Sequence, residues 1–205
     1  MTTTMIDTRH GQARAELHCA EEGSAALLLG HGAGGNIDAK DLVVVTRAAH
    51  DAGVHVALVE QPYRVAGRRA PAPARQLDEA WLTVADELGQ HWFDGMPMVF
   101  GGRSSGARVA CRTAADGAAV AVLCLAFPLR PPGKGPNGGS RQGELDAVEV
   151  PTLVVQGEQD PFGVPQARRH HEIVTVSGNH SLDSDLDAVG RATGEWLGRV
   201  LRPLV

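Results

Sequence analysis

The chain has 205 residues, 43% of them hydrophobic, and a formal net charge of −5 at pH 7, which is typical of one folded domain, here residues 1–205. Acidic and basic residues are interspersed, so the sequence offers neither a basic patch for nucleic acid nor a polybasic segment for a membrane surface. It also lacks a signal-peptide core and any apolar run of the roughly 18 residues that a membrane span needs. The three cysteines are an odd number, which argues against a disulfide framework, so we expect a cytoplasmic protein. The charge distribution favours a small-molecule partner, and the protein is expected to be a monomer or a homodimer.

Apolar runs alternate with helical patterns from about residue 25 onward. This alternation predicts a single-domain α/β fold, with a mostly parallel, doubly wound sheet and helices on both faces. The predicted strands are residues 25–29, 55–59, 98–100, 120–126, 152–156 and 172–176. The predicted helices are residues 38–52, 75–91, 107–114 and 184–201. Residues 3–20 are expected to add an antiparallel pair at one edge of the sheet.

Two segments rich in proline and glycine, residues 61–74 and 128–143, follow predicted strands. The second stands where a helix is expected, and it is either a disordered insert or an ordered loop. Open α/β sheets bind ligands at the carboxyl ends of their strands, where ordered loops of this kind would rim the crevice. Neither segment is long enough to form a lid domain, which predicts a shallow, open site.

The sequence around Ser104 has the G-x-S-x-G spacing of a nucleophile elbow. Apolar residues before it predict a strand and those after it a helix, so Ser104 lies at a strand-to-helix turn. Such a turn is strained, and small residues two positions before and after the serine, here Gly102 and Gly106, let the helix pack closely on the strand. Ser105 is a weaker candidate because glycines do not flank it in this way. A glycine-rich turn without chemistry is the alternative interpretation of this motif alone.

A nucleophilic serine needs a general base within hydrogen-bond reach and a carboxylate that fixes the tautomer of that base. Asp160 lies in the loop after strand 152–156, and His180 lies in the loop after strand 172–176. Glu158 is the local alternative to Asp160, whose other interpretation is the start of an Asp-Pro turn. The chain order of serine, aspartate and histidine predicts a catalytic triad carried at three strand ends.

A tetrahedral intermediate needs N–H donors for its oxyanion, and one of them usually belongs to the residue after the nucleophile, here Ser105. The glycine-rich turn at residues 30–35 supplies another, with the Ala33 N–H as first choice and that of Gly34 as second. A phosphate-binding loop is the alternative, but the turn lacks the G-K-[ST] ending of a P-loop, and no acidic residue follows at dinucleotide-binding spacing. His31 has no neighbour at metal-ligand spacing, so neither a metal nor an organic cofactor is expected.

Four motifs are spaced along the chain: His31-Gly32-Ala33-Gly34-Gly35, Gly101-Gly102-Arg103-Ser104-Ser105-Gly106, Pro131-Pro132-Gly133-Lys134 and Gly157-Glu158-Gln159-Asp160-Pro161-Phe162-Gly163. Together they resemble the α/β-hydrolase superfamily over residues 25–201, and within it a small subgroup without a cap domain that is described as dienelactone-hydrolase-like. The resemblance implies a Ser-His-Asp site formed by Ser104, His180 and Asp160. It does not imply a substrate, since dienelactone hydrolases use a cysteine nucleophile and Ser104 stands in that position.

Five side chains beside these motifs are candidates for contacting the substrate. They are His31, Arg103, Phe127, Lys134 and Phe162. Arg103 has two interpretations, because a cation beside the nucleophile either binds an acidic group of the substrate or forms an ion pair within the fold.

The predicted function is that of a serine hydrolase, which cleaves a small carboxylic ester or thioester through an acyl-enzyme. An acyltransferase on the same triad is an alternative, and it differs only in the acceptor that resolves the acyl-enzyme. A non-catalytic scaffold or binding protein is the other alternative, because a fold alone does not establish turnover.

Overall fold

The computed structural model describes residues 1–131, 133 and 138–202, so Lys134, one of the predicted substrate contacts, lies outside the described residues. The strands are β1 (Thr2–Thr8), β2 (Gly11–His18), β3 (Ala25–Gly30), β4 (Val54–Glu60), β5 (Met98–Arg103), β6 (Ala121–Leu125), β7 (Thr152–Gly157) and β8 (His171–Val176). The helices are α1 (Lys40–Asp51), α2 (Pro62–Val65), α3 (Ala74–His91), α4 (Ser105–Thr113), α5 (Gln142–Asp146) and α6 (Leu186–Leu201).

These strands form one sheet in the order β1-β2-β4-β3-β5-β6-β7-β8. The strands from β3 to β8 are parallel, whereas β1 and β2 form an antiparallel edge. The chain passes from β3 to β4 in one direction and then returns across β3 to β5, so the strand order reverses there. Ligands of open α/β sheets bind outside the carboxyl ends of the strands at such a reversal. The topology therefore predicts a ligand site at the carboxyl ends of β3 and β5.

Helices cover both faces of the sheet and bury a separate apolar core on each. On one face, Trp81 of α3 packs edge-on against Phe100 of β5, with their ring centroids 5.6 Å apart. On the other face, α1 packs against α6, and the side chain of Trp196 is buried. Because both faces are covered, the central parallel strands are mostly apolar, and every residue of β3 and of β7 is buried.

The predicted α/β class and its antiparallel edge are confirmed, and the six predicted parallel strands correspond to β3–β8. β5 continues beyond its predicted end at Phe100, because two glycines interrupt the apolar pattern while pairing with β6 goes on to Arg103. The short helices α2 and α5, which were not predicted, contain too few residues to display an apolar period. None of the helices in the described ranges combines the length and the apolar character that crossing a bilayer requires.

Candidate active site

Ser104 occupies the turn between β5 and α4. Its backbone has φ 53° and ψ −106°, and a positive φ is uncommon for a residue other than glycine. The Ser104 N–H donates a hydrogen bond of 2.8 Å to the carbonyl oxygen of Leu125 on β6, which holds the turn in place. Backbone strain that the surroundings maintain in this way is concentrated at functional sites. The geometry is that expected of a nucleophile elbow.

Glycines allow β3, β5 and α4 to approach closely at this turn. A Cβ added to Gly102 would lie 2.6 Å from the carbonyl carbon of Gly106 and 2.7 Å from the carbonyl oxygen of Gly30. A Cβ added to Gly106 would overlap the same Gly30 carbonyl. The predicted need for small residues at both positions is therefore confirmed.

We expect Gly102→Ala to lower the free energy of unfolding by about 1–3 kcal/mol, the usual cost of overpacking, because the added methyl group meets backbone atoms. Gly198→Ala in α6 is the matched control, since nothing lies within 4 Å of its added Cβ. Alanine favours helices, so this control should be neutral or more stable by up to about 1 kcal/mol. Urea unfolding measures both variants, and equal stabilities would contradict the close-packing argument.

Ser104, His180 and Asp160 form a continuous chain of hydrogen bonds. The Ser104 hydroxyl lies 2.9 Å from Nε2 of His180, and Nδ1 of His180 lies 2.7 Å from Oδ2 of Asp160. The loop after β7 is fixed against β8 and the His180 loop by two backbone hydrogen bonds of 2.9 Å, from Glu158 N–H to Val176 and from Gln159 N–H to Gly178. The structure therefore brings the three predicted residues together from separate strand ends.

Asp160 is surrounded by hydrogen-bond donors. Its side chain is fully buried, and its Oδ2 accepts hydrogen bonds from His180 Nδ1 at 2.7 Å and from Gln156 Nε2 at 2.8 Å. Its Oδ1 accepts a hydrogen bond of 2.8 Å from the Phe162 N–H. A set of partners that are all donors suits an ionised carboxylate. Glu158, the alternative carboxylate, is exposed on the same loop.

Sequence reasoning missed Gln156, whose side-chain amide donates a hydrogen bond to Oδ2 of Asp160. This residue is 0% exposed in the apolar strand β7, and besides Asp160 its Nε2 contacts the carbonyl oxygens of Phe127 at 3.2 Å and Gly163 at 2.9 Å. A buried polar side chain is retained only where it finds hydrogen-bond partners. The available signal was a glutamine inside an otherwise apolar strand sequence.

His31 organises the turn that carries the predicted oxyanion donor Ala33. The backbone N–H of Gln61 donates to Nε2 of His31 at 3.1 Å, so the imidazole proton lies on Nδ1, which donates to the carbonyl oxygen of Gly32 at 2.8 Å. Burial lowers the pKa of His31, in keeping with this neutral tautomer. In a trans peptide the C=O and the next N–H point in opposite directions. By fixing the Gly32 carbonyl, His31 therefore fixes the direction of the Ala33 N–H.

The glycine-rich turn lies directly against the elbow. A Cβ added to Gly32 would be 3.7 Å from the Cβ of Ser104, and the hydroxyl of Tyr63 donates a hydrogen bond of 2.7 Å to the carbonyl of Ala33. The Ser105 N–H is the first of α4, among the amides that a helix leaves without an internal partner. These observations support Ser105 and Ala33 as donors, whereas Gly34, the second choice, is exposed.

The predicted substrate contacts have different surroundings. His31 is 3% exposed with both ring nitrogens bound within the protein, and Phe127 is 0% exposed in the core, so neither presents a side-chain surface to a ligand. Their assignment as substrate contacts is therefore corrected to support of the loops around the site. Phe162 is partly exposed, and its ring meets that of His180 edge-on, with centroids 4.5 Å apart. It stays a candidate contact.

Arg103 forms an ion pair within the fold, with its Nε 2.8 Å from Oδ2 of Asp41. Burial raises the pKa of the Asp41 carboxyl, and the nearby Arg103 guanidinium opposes that shift. The 2.8 Å distance and the permanent positive charge of the Arg103 guanidinium are those of a charge-assisted hydrogen bond to Asp41. Of the two interpretations of Arg103, the structure favours the ion pair over contact with a substrate.

Ser104, Asp160 and His180 line none of five cavities on the described residues that measure about 290 to 1020 Å3. The largest of these five is lined by Asp78 of α3 and by residues of the segments 111–119 and 143–150. Ser104 is half-exposed, and 19% of the His180 side chain is exposed. Among the residues that the structure describes, the serine and the histidine of the candidate site are thus partly open to solvent.

A mostly parallel sheet of this order, with an elbow after a central strand, defines the α/β-hydrolase class. The family model described as the alpha/beta hydrolase domain matches residues 23–191, and the chain belongs to this family. A search of curated proteins found no match.

Solved structures with low sequence identity share the whole fold. Est1E from Butyrivibrio proteoclasticus has a TM-score of 0.78 and 17% identity, covering 97% of this chain and 98% of its own. XC6422 from Xanthomonas campestris, described as an a/b serine hydrolase without lid, has a TM-score of 0.73 and 18% identity, covering 97% and 94%. A dienelactone hydrolase from Anabaena variabilis has a TM-score of 0.76 and 19% identity, covering 97% and 96%. The chain is therefore dienelactone-hydrolase-like in fold.

Proposed function

We propose that this protein is a serine hydrolase that cleaves a small carboxylic ester or thioester through an acyl-enzyme. The observation that carries the proposal is the hydrogen-bonded chain from Ser104 through His180 to the buried Asp160. A serine hydroxyl is a weak nucleophile unless a base accepts its proton. Nε2 of His180 lies 2.9 Å from that hydroxyl, and in this proposal it accepts the proton because Asp160 keeps the other ring proton on Nδ1.

In the first half of the proposed reaction, His180 removes the Ser104 proton as Oγ attacks the carbonyl carbon of the substrate. The backbone N–H groups of Ser105 and Ala33 stabilise the oxyanion that forms. Asp160 stabilises the imidazolium, which then protonates the leaving alcohol or thiol. In the second half, a water molecule gives a proton to His180 as its oxygen attacks the acyl carbon. The bond to Ser104 then breaks, the Ser104 oxygen takes the proton back from His180, and the carboxylic acid is released.

The proposed substrate class follows from the shape of the site. The sequence predicts an open, shallow site, in which Ser104 is partly exposed, and aromatic residues make up only 4% of the chain, so we expect little apolar surface for a long acyl chain. Two structural neighbours support ester chemistry, since Est1E has been solved with ferulic acid bound and another neighbour is a dienelactone hydrolase. We therefore propose an ester or thioester of modest size.

A fluorophosphonate probe tests the activated serine directly. The probe should react with the folded wild-type protein, and mass spectrometry should locate the adduct on Ser104 alone. Protein unfolded in urea is the control, and it should stay unlabelled because activation depends on the fold. A well-folded protein that resists the probe would contradict the proposal and favour a binding or scaffold role.

A further inference from the structure

Arg103 connects three segments that meet at the candidate site. Its Nε donates to Oδ2 of Asp41 on α1 at 2.8 Å, and its Nη2 donates to the backbone carbonyl of His180 at 3.0 Å. Its Nη1 faces the turn before α1, where a Cβ added to Gly32 would lie 3.0 Å away. The residue next to the nucleophile therefore touches both the loop of the proposed base and the turn of the proposed oxyanion donor.

The ion pair between Arg103 and Asp41 is largely shielded from water, so solvent and salt weaken it little. The Asp41 side chain is 1% exposed and that of Arg103 is 19% exposed. Asp41 is fixed in turn, because its Oδ1 accepts a hydrogen bond of 3.0 Å from the Leu42 N–H in the first turn of α1. Charge-assisted hydrogen bonds are shorter and stronger than neutral ones, and salt screens buried pairs much less than exposed pairs.

His180 is held at two points by this arrangement. Asp160 binds its ring at Nδ1, and Arg103 binds its backbone carbonyl. The histidine lies in the connection between β8 and α6, which has no regular secondary structure of its own. Because Arg103 and Ser104 are adjacent in the chain, the second contact ties the backbone of the base directly to the backbone of the nucleophile.

We propose that Arg103 and Asp41 are positioning residues, which set the distance between His180 and Ser104 and keep the Gly32 turn against the elbow. This role rests on the proposed function. A displacement of reacting groups by about 1 Å costs on the order of 100-fold in rate. Removing the contact to the His180 carbonyl is therefore expected to slow proton transfer from Ser104.

Arg103→Met removes the guanidinium and keeps an extended apolar side chain, and it should reduce the rate of fluorophosphonate labelling by about 100-fold. Arg103→Lys keeps the charge but loses the planar fork that reaches Asp41 and His180 together, so it should stay well below the wild-type rate. Arg112→Met is the matched control, because Arg112 on α4 pairs with Asp78 through Nε at 2.8 Å and is 20% exposed. It should lose similar thermal stability and keep the wild-type labelling rate.

Labelling of Arg103→Met at the wild-type rate would overturn the proposal, as would full recovery in Arg103→Lys, which would show that charge alone suffices. A second readout is the low-field proton NMR resonance of His180 Nδ1–H, assigned by its loss in His180→Gln. We expect it to broaden or disappear in Arg103→Met and in Asp41→Asn and to persist in Arg112→Met. If the wild-type protein does not react with the probe, the proposed function fails, and this resonance alone decides the positioning role. An unchanged resonance in both folded variants would refute it.

Discussion

Ser104→Ala is expected to reduce the hydrolysis of any ester that the wild-type protein cleaves by roughly a million-fold, to background. The loss should be this large because His180 and Asp160 act through the Ser104 oxygen, while the proposed oxyanion donors alone contribute only a small residual rate. Stability should change by no more than about 1 kcal/mol, since the variant gives up one hydrogen bond, the 2.9 Å contact to His180. Steady-state kinetics and thermal unfolding of the two proteins measure these effects.

Activity and thermal stability together show whether Ser104→Ala has lost the reaction or the fold. Alanine at position 104 takes over the same positive φ of 53°, so the elbow is not relieved of strain in the variant. A variant that unfolds at the wild-type temperature and has lost its activity supports the proposed nucleophile. Retained hydrolysis in a purified Ser104→Ala protein would refute it.

Asp160→Asn is expected to lower kcat by about 10,000-fold while the protein stays folded. Every group that faces this carboxylate is a donor: the Phe162 N–H, the Gln156 amide and Nδ1 of His180. In either orientation, an asparagine would turn its NH2 group towards one of them. Where the NH2 group replaces Oδ2, it faces Nδ1–H of His180, and His180 avoids this clash of donors by moving its proton from Nδ1 to Nε2, which removes the base that the proposed nucleophile needs. Single-turnover kinetics with an activated ester measures the effect.

Glu158→Gln is the matched control for this prediction. Glu158 lies two residues before Asp160 on the same loop but is exposed, so its loss of charge should leave kcat close to that of the wild type. If Glu158→Gln were the inactive variant and Asp160→Asn the active one, the proposed roles of the two carboxylates would be reversed.

Local patterns in the sequence were enough to predict the sheet and the three residues that meet at the site. Parallel strands buried on both faces are continuous apolar runs, and polar residues at their carboxyl ends stand out against them. Ser104 was recognisable from its flanking glycines. Asp160 and His180 were recognisable because each directly follows such a run, which places both at the same edge of the sheet.

Contacts between distant parts of the chain were not predictable in this way. Asp41 and Arg103 are 62 positions apart, and no local period relates them. The burial of His31 and Phe127 depends likewise on what packs over them. A motif predicts that such a residue is near the site, but its neighbours determine whether it faces a ligand or supports a loop.

The order of the strands gives the two halves of the candidate site different stiffness. The serine and the oxyanion turn follow β5 and β3, which have a neighbouring strand on each side, and β3 is buried at every position. The histidine follows β8, which is paired on one side only within the described sheet and is buried at just its first and last residues. Segments with few buried contacts open at the lowest free energy. We therefore expect the proposed base to lie on a more easily opened edge of the sheet, while the proposed nucleophile lies on its more rigid centre.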